Sequence, residues 1–111
     1  MKYLFRGKRL DCDKWVFGYL ADKNIINDID TSRYYKVDEN TIGLWSGYYD
    51  DFNMKIFEND ILKDTRDIEY YIIKISRGRF VCVDQNNYEW DIKAILGSAY
   101  TKVIGNTYEA E

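Results

Sequence analysis

The sequence lacks several residue types, and each absence excludes a kind of chemistry. Its 111 residues include no proline and no histidine. Without histidine the protein has no imidazole base, which excludes the usual Ser–His and Cys–His catalytic pairs. The two cysteines, Cys12 and Cys82, form no CxxC motif, so we expect no zinc site of cysteine and histidine ligands.

Long apolar segments and a strong net charge are also missing. No apolar run approaches the ~20 residues that span a bilayer, and the start MKYLFRGKRL does not have the apolar stretch of a signal peptide. The net charge of −3 gives no overall attraction to nucleic acid or to an anionic membrane. We expect a cytoplasmic protein with no membrane partner, no cofactor and no metal.

Aromatic residues are abundant, with eleven tyrosines, three tryptophans and five phenylalanines. Such residues favour the half-buried surface of a β-sheet. Short alternating segments between Gly, Asn and Asp predict about seven to nine strands, typical of a barrel or a small sandwich. The segment DIKAIL, residues 91–96, fits either one helical turn or a strand. We therefore predict a single all-β domain over residues 1–111.

The clearest hairpin is IEYYIIKISRGRFVCVDQ, residues 68–85. A two-residue Arg-Gly turn at 77–78 would place Ile75 opposite Phe80 and Ile73 opposite Cys82. This face of the hairpin is the more apolar one, so we predict that it faces the core. Cys82 is then a small buried hydrophobic residue and not a reactive thiol.

The segment KIFENDILK, residues 55–63, can be interpreted in two ways. Together with Asp50 and Asp51, the side chains of Glu58 and Asp60 could supply four carboxylates to a metal or an acid/base site. Short polar side chains also bind nearby backbone amides in tight turns, which explains the segment without a ligand. We favour the turn; if carboxylates do chemistry here, Glu58 and Asp60 are the candidates.

Six tyrosines occur as three adjacent pairs. Because neighbouring side chains of a strand point to opposite faces, one tyrosine of each pair should point outward if its neighbour points inward. Exposed tyrosines suit a protein interface, whereas a sheet packed on both faces would bury them. The candidate interface residues are Tyr34, Tyr35, Tyr48, Tyr49 and Tyr70.

A second candidate surface lies at the tip of the predicted hairpin. Basic side chains there could contact phosphates, and nearby aromatic rings could stack on bases. Charged residues at a hairpin tip also keep it soluble and unpaired, and this is the interpretation we favour. The candidate nucleic-acid contacts are Lys74, Arg77, Arg79, Tyr88 and Trp90.

Three segments in order resemble one known family. They are FRGKRLDCDKWVFGYL at 5–20, VDENTIGLWSGYYDDFNMKIFENDIL at 37–62 and VIGNTYE at 103–109. Together they resemble the YopX proteins, small proteins of bacteriophages and prophages. Where that family commonly has glycine, this chain has Asn53 (or its neighbour Met54) and Asn59, which predicts positive φ at these positions.

The resemblance implies a phage or prophage accessory protein in a bacterial cytoplasm, from a family without an established biochemical activity. It also implies an SH3-like barrel in the second half, with N-terminal strands over residues 1–47 and the barrel over 48–111. We predict no enzyme, but a module that binds a host or phage protein or associates with itself. The alternative is a small β-barrel that binds nucleic acid through the 74–79 hairpin tip.

Overall fold

The computed structural model describes residues 3–109. This part of the chain forms eleven strands, one short helix and a 3₁₀ turn at Glu39–Thr41. The strands are β1 (Phe5–Lys8), β2 (Trp15–Asp22), β3 (Ile25–Asp28), β4 (Tyr34–Lys36), β5 (Gly43–Tyr49), β6 (Lys55–Phe57), β7 (Asp60–Asp64), β8 (Tyr70–Ser76), β9 (Arg79–Val83), β10 (Glu89–Asp91) and β11 (Thr101–Asn106). The helix α1 covers Ile92–Ser98. The sequence count of seven to nine strands was too low, because strands of three residues are too short to show alternation.

The strands form two sheets, with the orders β4-β3-β2-β1-β5-β6 and β10-β9-β8-β7-β11. The registers of the paired strands are antiparallel, which confirms the all-β class. Within residues 3–109 neither sheet is closed, so the SH3-like barrel is not confirmed. Closure would require the two edge strands of one sheet to pair, and β10 and β11 remain at opposite edges of the second sheet.

The chain divides into two compact units, Met1–Trp45 and Ser46–Glu111. Strand β5 begins in the first unit and ends in the second. The subregions 1–47 and 48–111 that the resemblance implied stay a prediction. Each unit has its own hydrophobic cluster.

The first unit packs around three fully or almost fully buried residues, Val16, Ile26 and Val37. Along β2, Val16 and Gly18 are buried, and the aromatic side chains alternate with them on the other face, as the period of two predicts. Gly18 is required by close packing, because a Cβ there would lie 1.8 Å from the carbonyl oxygen of Asn27.

The second unit has the larger core, which includes residues of β6, β7, β8, β9 and α1. Helix α1 begins after Asp91, whose carboxylate accepts a hydrogen bond from the Lys93 amide at 2.9 Å. Ile92 and Ile95, one turn apart, point into this core. The helical alternative for DIKAIL is therefore the correct one. The buried core residues are Ile56, Leu62, Tyr71, Ile73, Cys82, Ile92 and Ile95.

The β8–β9 hairpin has the predicted register. Ile73 lies opposite Cys82 and Ile75 opposite Phe80, around a turn whose residues 77 and 78 have φ of 54° and 78°. The predicted core face differs at one position, because Ile75 is 42% exposed near the tip. On the opposite face of the hairpin Val81 is 1% exposed, so the middle of this sheet is buried on both sides.

The two asparagines that replace family glycines both have left-handed backbones. Asn53 has φ of 67° and Asn59 has φ of 72°, which confirms the prediction of positive φ. Asparagine tolerates this region better than other residues with a Cβ. Both turns therefore require a residue that tolerates a left-handed backbone.

Candidate functional site

Each tyrosine pair has one more exposed and one more buried member, as strand alternation predicts. Tyr34 is 68% exposed, Tyr49 45% and Tyr70 44%, whereas Tyr71 is 7% exposed. The other two, Tyr35 and Tyr48, are half-buried. Three exposed rings thus fall on positions that the sequence named, two of them in the second unit and one, Tyr34, in the first.

Tyr34 lies beside a groove in the first unit, with a volume of about 370 Å³. Two further exposed apolar side chains border it, Tyr3 at 61% and Leu20 at 40%. Among residues 3–109, the groove is lined by uncharged side chains only: Tyr3, Phe5, Tyr19, Leu20, Ala21, Asn27 and Tyr34. The sequence did not indicate Tyr3 or Leu20, because only the pairing of β1 with β2 brings the two segments together.

Tyr34 also lines a second depression, together with Leu10, which is 60% exposed, and the half-buried Tyr35. The guanidinium carbon of Arg9 lies 4.3 Å from the ring centre of Tyr35. Arg9 also forms two hydrogen bonds with the Asp11 carboxylate, at 2.8 and 2.7 Å, which lower the pKa of that carboxyl group. Tyr35 is therefore in contact with an arginine that forms an ion pair with Asp11, and Tyr34 is the more exposed ring.

In the second unit, the exposed candidate tyrosines lie close to lysines. The Lys55 ammonium lies 5.5 Å from the ring centre of Tyr49, a cation–π distance. Tyr70 lies directly opposite Lys63 on β7. Tyr48, the remaining candidate, packs against the hydrophobic core.

The predicted nucleic-acid residues are not arranged as one surface. Lys74 pairs in register with Val81, and Val81 with Asp91, whereas Trp90 pairs with Cys82 on the opposite face of the sheet. The Lys74 ammonium donates to the Asn59 side-chain oxygen at 2.6 Å. The register of the strands therefore places Lys74 and Trp90 on opposite faces of the sheet.

Acidic side chains also lie next to two of these candidate residues, Arg79 and Trp90. Arg79 lies 3.8 Å from the Asp91 carboxylate. Tyr88 and Trp90 pack edge to face, with ring centres 4.7 Å apart. The Trp90 indole donates to the Asp84 carboxylate at 2.9 Å, and this bond is the main reason that the pKa of Asp84 is below its ordinary value. Arg77 lies in the exposed turn at the tip of this hairpin.

The segment KIFENDILK contains β6, a two-residue turn at Glu58 and Asn59, and the first four residues of β7. Asp60 is 1% exposed, and its carboxylate accepts a hydrogen bond from the Phe57 amide at 2.7 Å. The Asn59 amide donates to the carbonyl of Ile73 at 2.7 Å. Glu58 lies in the turn itself. Within residues 3–109 no group of three or more carboxylates, cysteines or histidines is arranged to hold a metal ion.

Asp50 and Asp51 are occupied by backbone groups of their own unit. One oxygen of Asp50 accepts from the amides of Phe52 and Met54, and the other accepts from the amide of Val103, each at 2.8 Å. Asp51 accepts from the amide and the hydroxyl of Thr101, at 2.7 and 3.1 Å. Local turn bonds were expected, but the bonds to β11 were not, because they join residues about 50 positions apart.

Asn59 connects two of the segments that resemble the known family. Its side-chain amide donates to the Tyr108 hydroxyl at 2.6 Å, and its backbone carbonyl accepts from the Thr107 amide. Asn106, which is 8% exposed, accepts from the Tyr108 amide. These motif residues are therefore held by hydrogen bonds to one another within the second unit.

The two cysteines differ in their environments. Cys82 is fully buried, and burial raises the pKa of its thiol to about 12, as expected for an unreactive core residue. Cys12 is half-buried in the polar turn after β1, and the two are not joined by a disulfide.

The comparison with known families agrees with these segments. The family model described as YopX protein matches residues 4–111, essentially the whole chain. The chain belongs to the YopX family. No curated protein matches it. Within the described residues, this YopX-family chain contains no helix that is long and apolar enough to cross a membrane.

Proposed function

We propose that this YopX-family protein is a non-catalytic module that binds another protein or associates with itself, as a phage or prophage accessory protein in the bacterial cytoplasm. The observation that carries the proposal is Tyr34, which is 68% exposed beside a groove bordered by Tyr3 and Leu20, whose lining in the described part of the chain is uncharged. Aromatic rings in or near pockets are the usual anchors of protein interfaces.

The shape and chemistry of this surface support a protein ligand. A groove of about 370 Å³ is large enough for one or two side chains of a partner. Tyrosine offers a rigid apolar ring with a polar hydroxyl, so it loses little conformational entropy when it is covered. The Tyr34 surface is thus the best candidate for the contact.

Several contacts support a role without catalysis. The carboxylates of Asp50, Asp51 and Asp60 accept hydrogen bonds from backbone amides, so they are used to hold turns and strands. The sequence has no histidine, and the thiol of Cys82 is buried with a raised pKa. These contacts of Asp50, Asp51, Asp60 and Cys82 favour a role without catalysis.

The nucleic-acid alternative has weaker support. Lys74 donates to Asn59, Arg79 lies near Asp91, and the indole of Trp90 donates to Asp84. A phosphate at this surface would meet the acidic side chains of Asp84 and Asp91, which would oppose its binding.

The test is capture of partners from host cells with the tagged protein and two matched variants, before and after nuclease treatment. Tyr34→Ala removes the projecting ring of the first unit. Tyr88→Ala removes a 58% exposed tyrosine of the second unit and serves as the control. Light scattering of the purified proteins reports self-association in the same three samples.

We expect a nuclease-resistant protein, or a second copy of the chain, to be lost with Tyr34→Ala and retained with Tyr88→Ala. Retention of every partner by Tyr34→Ala would contradict the proposal. Nucleic acid that is captured by the wild type and lost with Tyr88→Ala would support the alternative surface instead.

A further inference from the structure

Strand β11 forms one edge of the second sheet. Its inner groups pair with β7, with Lys102 opposite Lys63 and Val103 opposite Leu62. In an antiparallel sheet the amides of alternate residues point away from the partner strand, and here these are Thr101 and Val103. Such outward amides can pair with a strand of another chain unless they are covered.

The turn between β5 and β6 covers this edge. The Asp51 carboxylate accepts from the Thr101 amide and the Asp51 amide donates to the Thr101 carbonyl, at 2.7 and 3.1 Å. The Asp50 carboxylate accepts from the Val103 amide at 2.8 Å. Two acidic side chains thus occupy the positions that a neighbouring strand would use.

Aromatic contacts hold the same turn against the edge. Phe52, at the tip of the turn, packs edge to face on Tyr100, with ring centres 5.5 Å apart. The Lys102 ammonium lies 5.2 Å from the centre of the Phe52 ring. The cover is therefore a small cluster of side chains and not a single hydrogen bond.

We infer that the Asp50–Asp51 turn blocks β11 from pairing with β11 of a second copy, and that this pairing becomes the mode of self-association when the turn is displaced. The inference concerns a different surface from the Tyr34 groove and does not rest on the proposed function.

The sequence of β11 suits antiparallel pairing with itself. The segment TKVIGN has no proline and no acidic residue. A two-fold axis at Val103 would let the two Val103 residues exchange hydrogen bonds through their outward amides and carbonyls. The same register would place Lys102 beside Ile104 of the second copy, so no two lysines would face each other. Ile104 is 52% exposed and available for this contact.

The test compares the dimer dissociation constants of the full chain and two variants by sedimentation equilibrium. The variant Asp50→Asn/Asp51→Ala weakens the hydrogen bond to the Val103 amide and removes the one to the Thr101 amide. Asp51→Ala alone exposes only the Thr101 amide. We expect the dissociation constant to fall at least tenfold for the double variant and by a smaller factor for the single one. Far-UV circular dichroism checks that each variant is folded.

Two added substitutions test the register. Ile104→Lys would place a second positive charge beside Lys102 of the other copy, and should raise the dissociation constant of the double variant to the wild-type value. Ile68→Lys changes a residue that is 83% exposed in a loop of the same unit, and should leave the dissociation constant unchanged.

Unchanged dissociation constants in the folded double and single variants would overturn the inference. An equal effect of Ile104→Lys and Ile68→Lys would also overturn it, since it would show non-specific association. If the double variant does not unfold cooperatively, Asp51→Ala decides the result alone.

Discussion

Asp50 offers the most direct test of how the second unit is held together. Its side chain is 6% exposed, and its two oxygens accept three backbone hydrogen bonds. Two of these close the turn through Phe52 and Met54, and the third fixes that turn to Val103. Replacement by alanine leaves three amide donors without an acceptor and removes the link between two segments that are distant in sequence.

The expected loss of stability follows from these bonds. A hydrogen bond to a charged group contributes about 1.5–3 kcal/mol, and a buried unsatisfied donor is destabilising by a similar amount. The three donors share one carboxylate and the turn can relax, so we expect Asp50→Ala to lower the free energy of unfolding by about 3–5 kcal/mol. Asp50→Asn keeps one acceptor oxygen but directs its NH₂ group at one of the backbone amides that Asp50 now accepts from. We therefore expect this variant to lower the free energy of unfolding by about 2 kcal/mol.

Urea denaturation followed by circular dichroism measures these losses, and hydrogen exchange measures the protection of the Val103 amide. The control is Glu89→Gln, which removes the same charge from an exposed position on β10. We expect the control to stay within about 0.5 kcal/mol of the wild type. A loss below about 1 kcal/mol for Asp50→Ala, with the Val103 amide still protected, would refute the reasoning.

Three further predictions concern single sites. Asn53 is exposed with φ of 67°, so Asn53→Gly should be nearly neutral and Asn53→Val should lose about 1–2 kcal/mol in urea denaturation. Half-buried Cys12 should react with a thiol reagent in the native protein, whereas Cys82 should react only after denaturation. Reaction of both cysteines in the native protein would contradict the burial of Cys82. Trp90→Phe removes the main cause of the lowered pKa of Asp84, so that pKa should rise toward its ordinary value in an NMR titration. The lowered pKa of Asp84 in the folded state stabilises the protein at pH values above the pKa of the unfolded state. The wild type should therefore be more stable than Trp90→Phe at neutral pH. This difference should disappear as the pH falls through the lowered pKa of Asp84.

The parts of the structure that local sequence could predict are those set by neighbouring residues. The Arg-Gly turn fixed the register that places Ile73 opposite Cys82, because a two-residue turn allows only one pairing. Asn53 and Asn59 indicated positive φ because few residues with a Cβ tolerate it. The tyrosine pairs predicted one outward ring each, since a strand alternates its faces.

The parts that were missed depend on contacts between distant segments. Tyr3 and Leu20 join Tyr34 around one groove only after β1, β2 and β4 have taken their places. The bonds from Asp50 and Asp51 to β11 link residues about 50 positions apart, and nothing near either aspartate indicates them. The barrel expected for the second half is not confirmed for a similar reason, because closure depends on which strands meet at the edges.

By itself, the sequence determined the all-β class, the family, the β8–β9 register and the absence of imidazole chemistry, because each depends on composition, motif or local geometry. Only the tertiary structure decided which polar residues have structural roles. The carboxylates around KIFENDILK look the same in sequence whether they hold a ligand or a backbone. Their amide partners at Phe57, Thr101 and Val103 appear only when the strands pack, and those partners assign them to the fold.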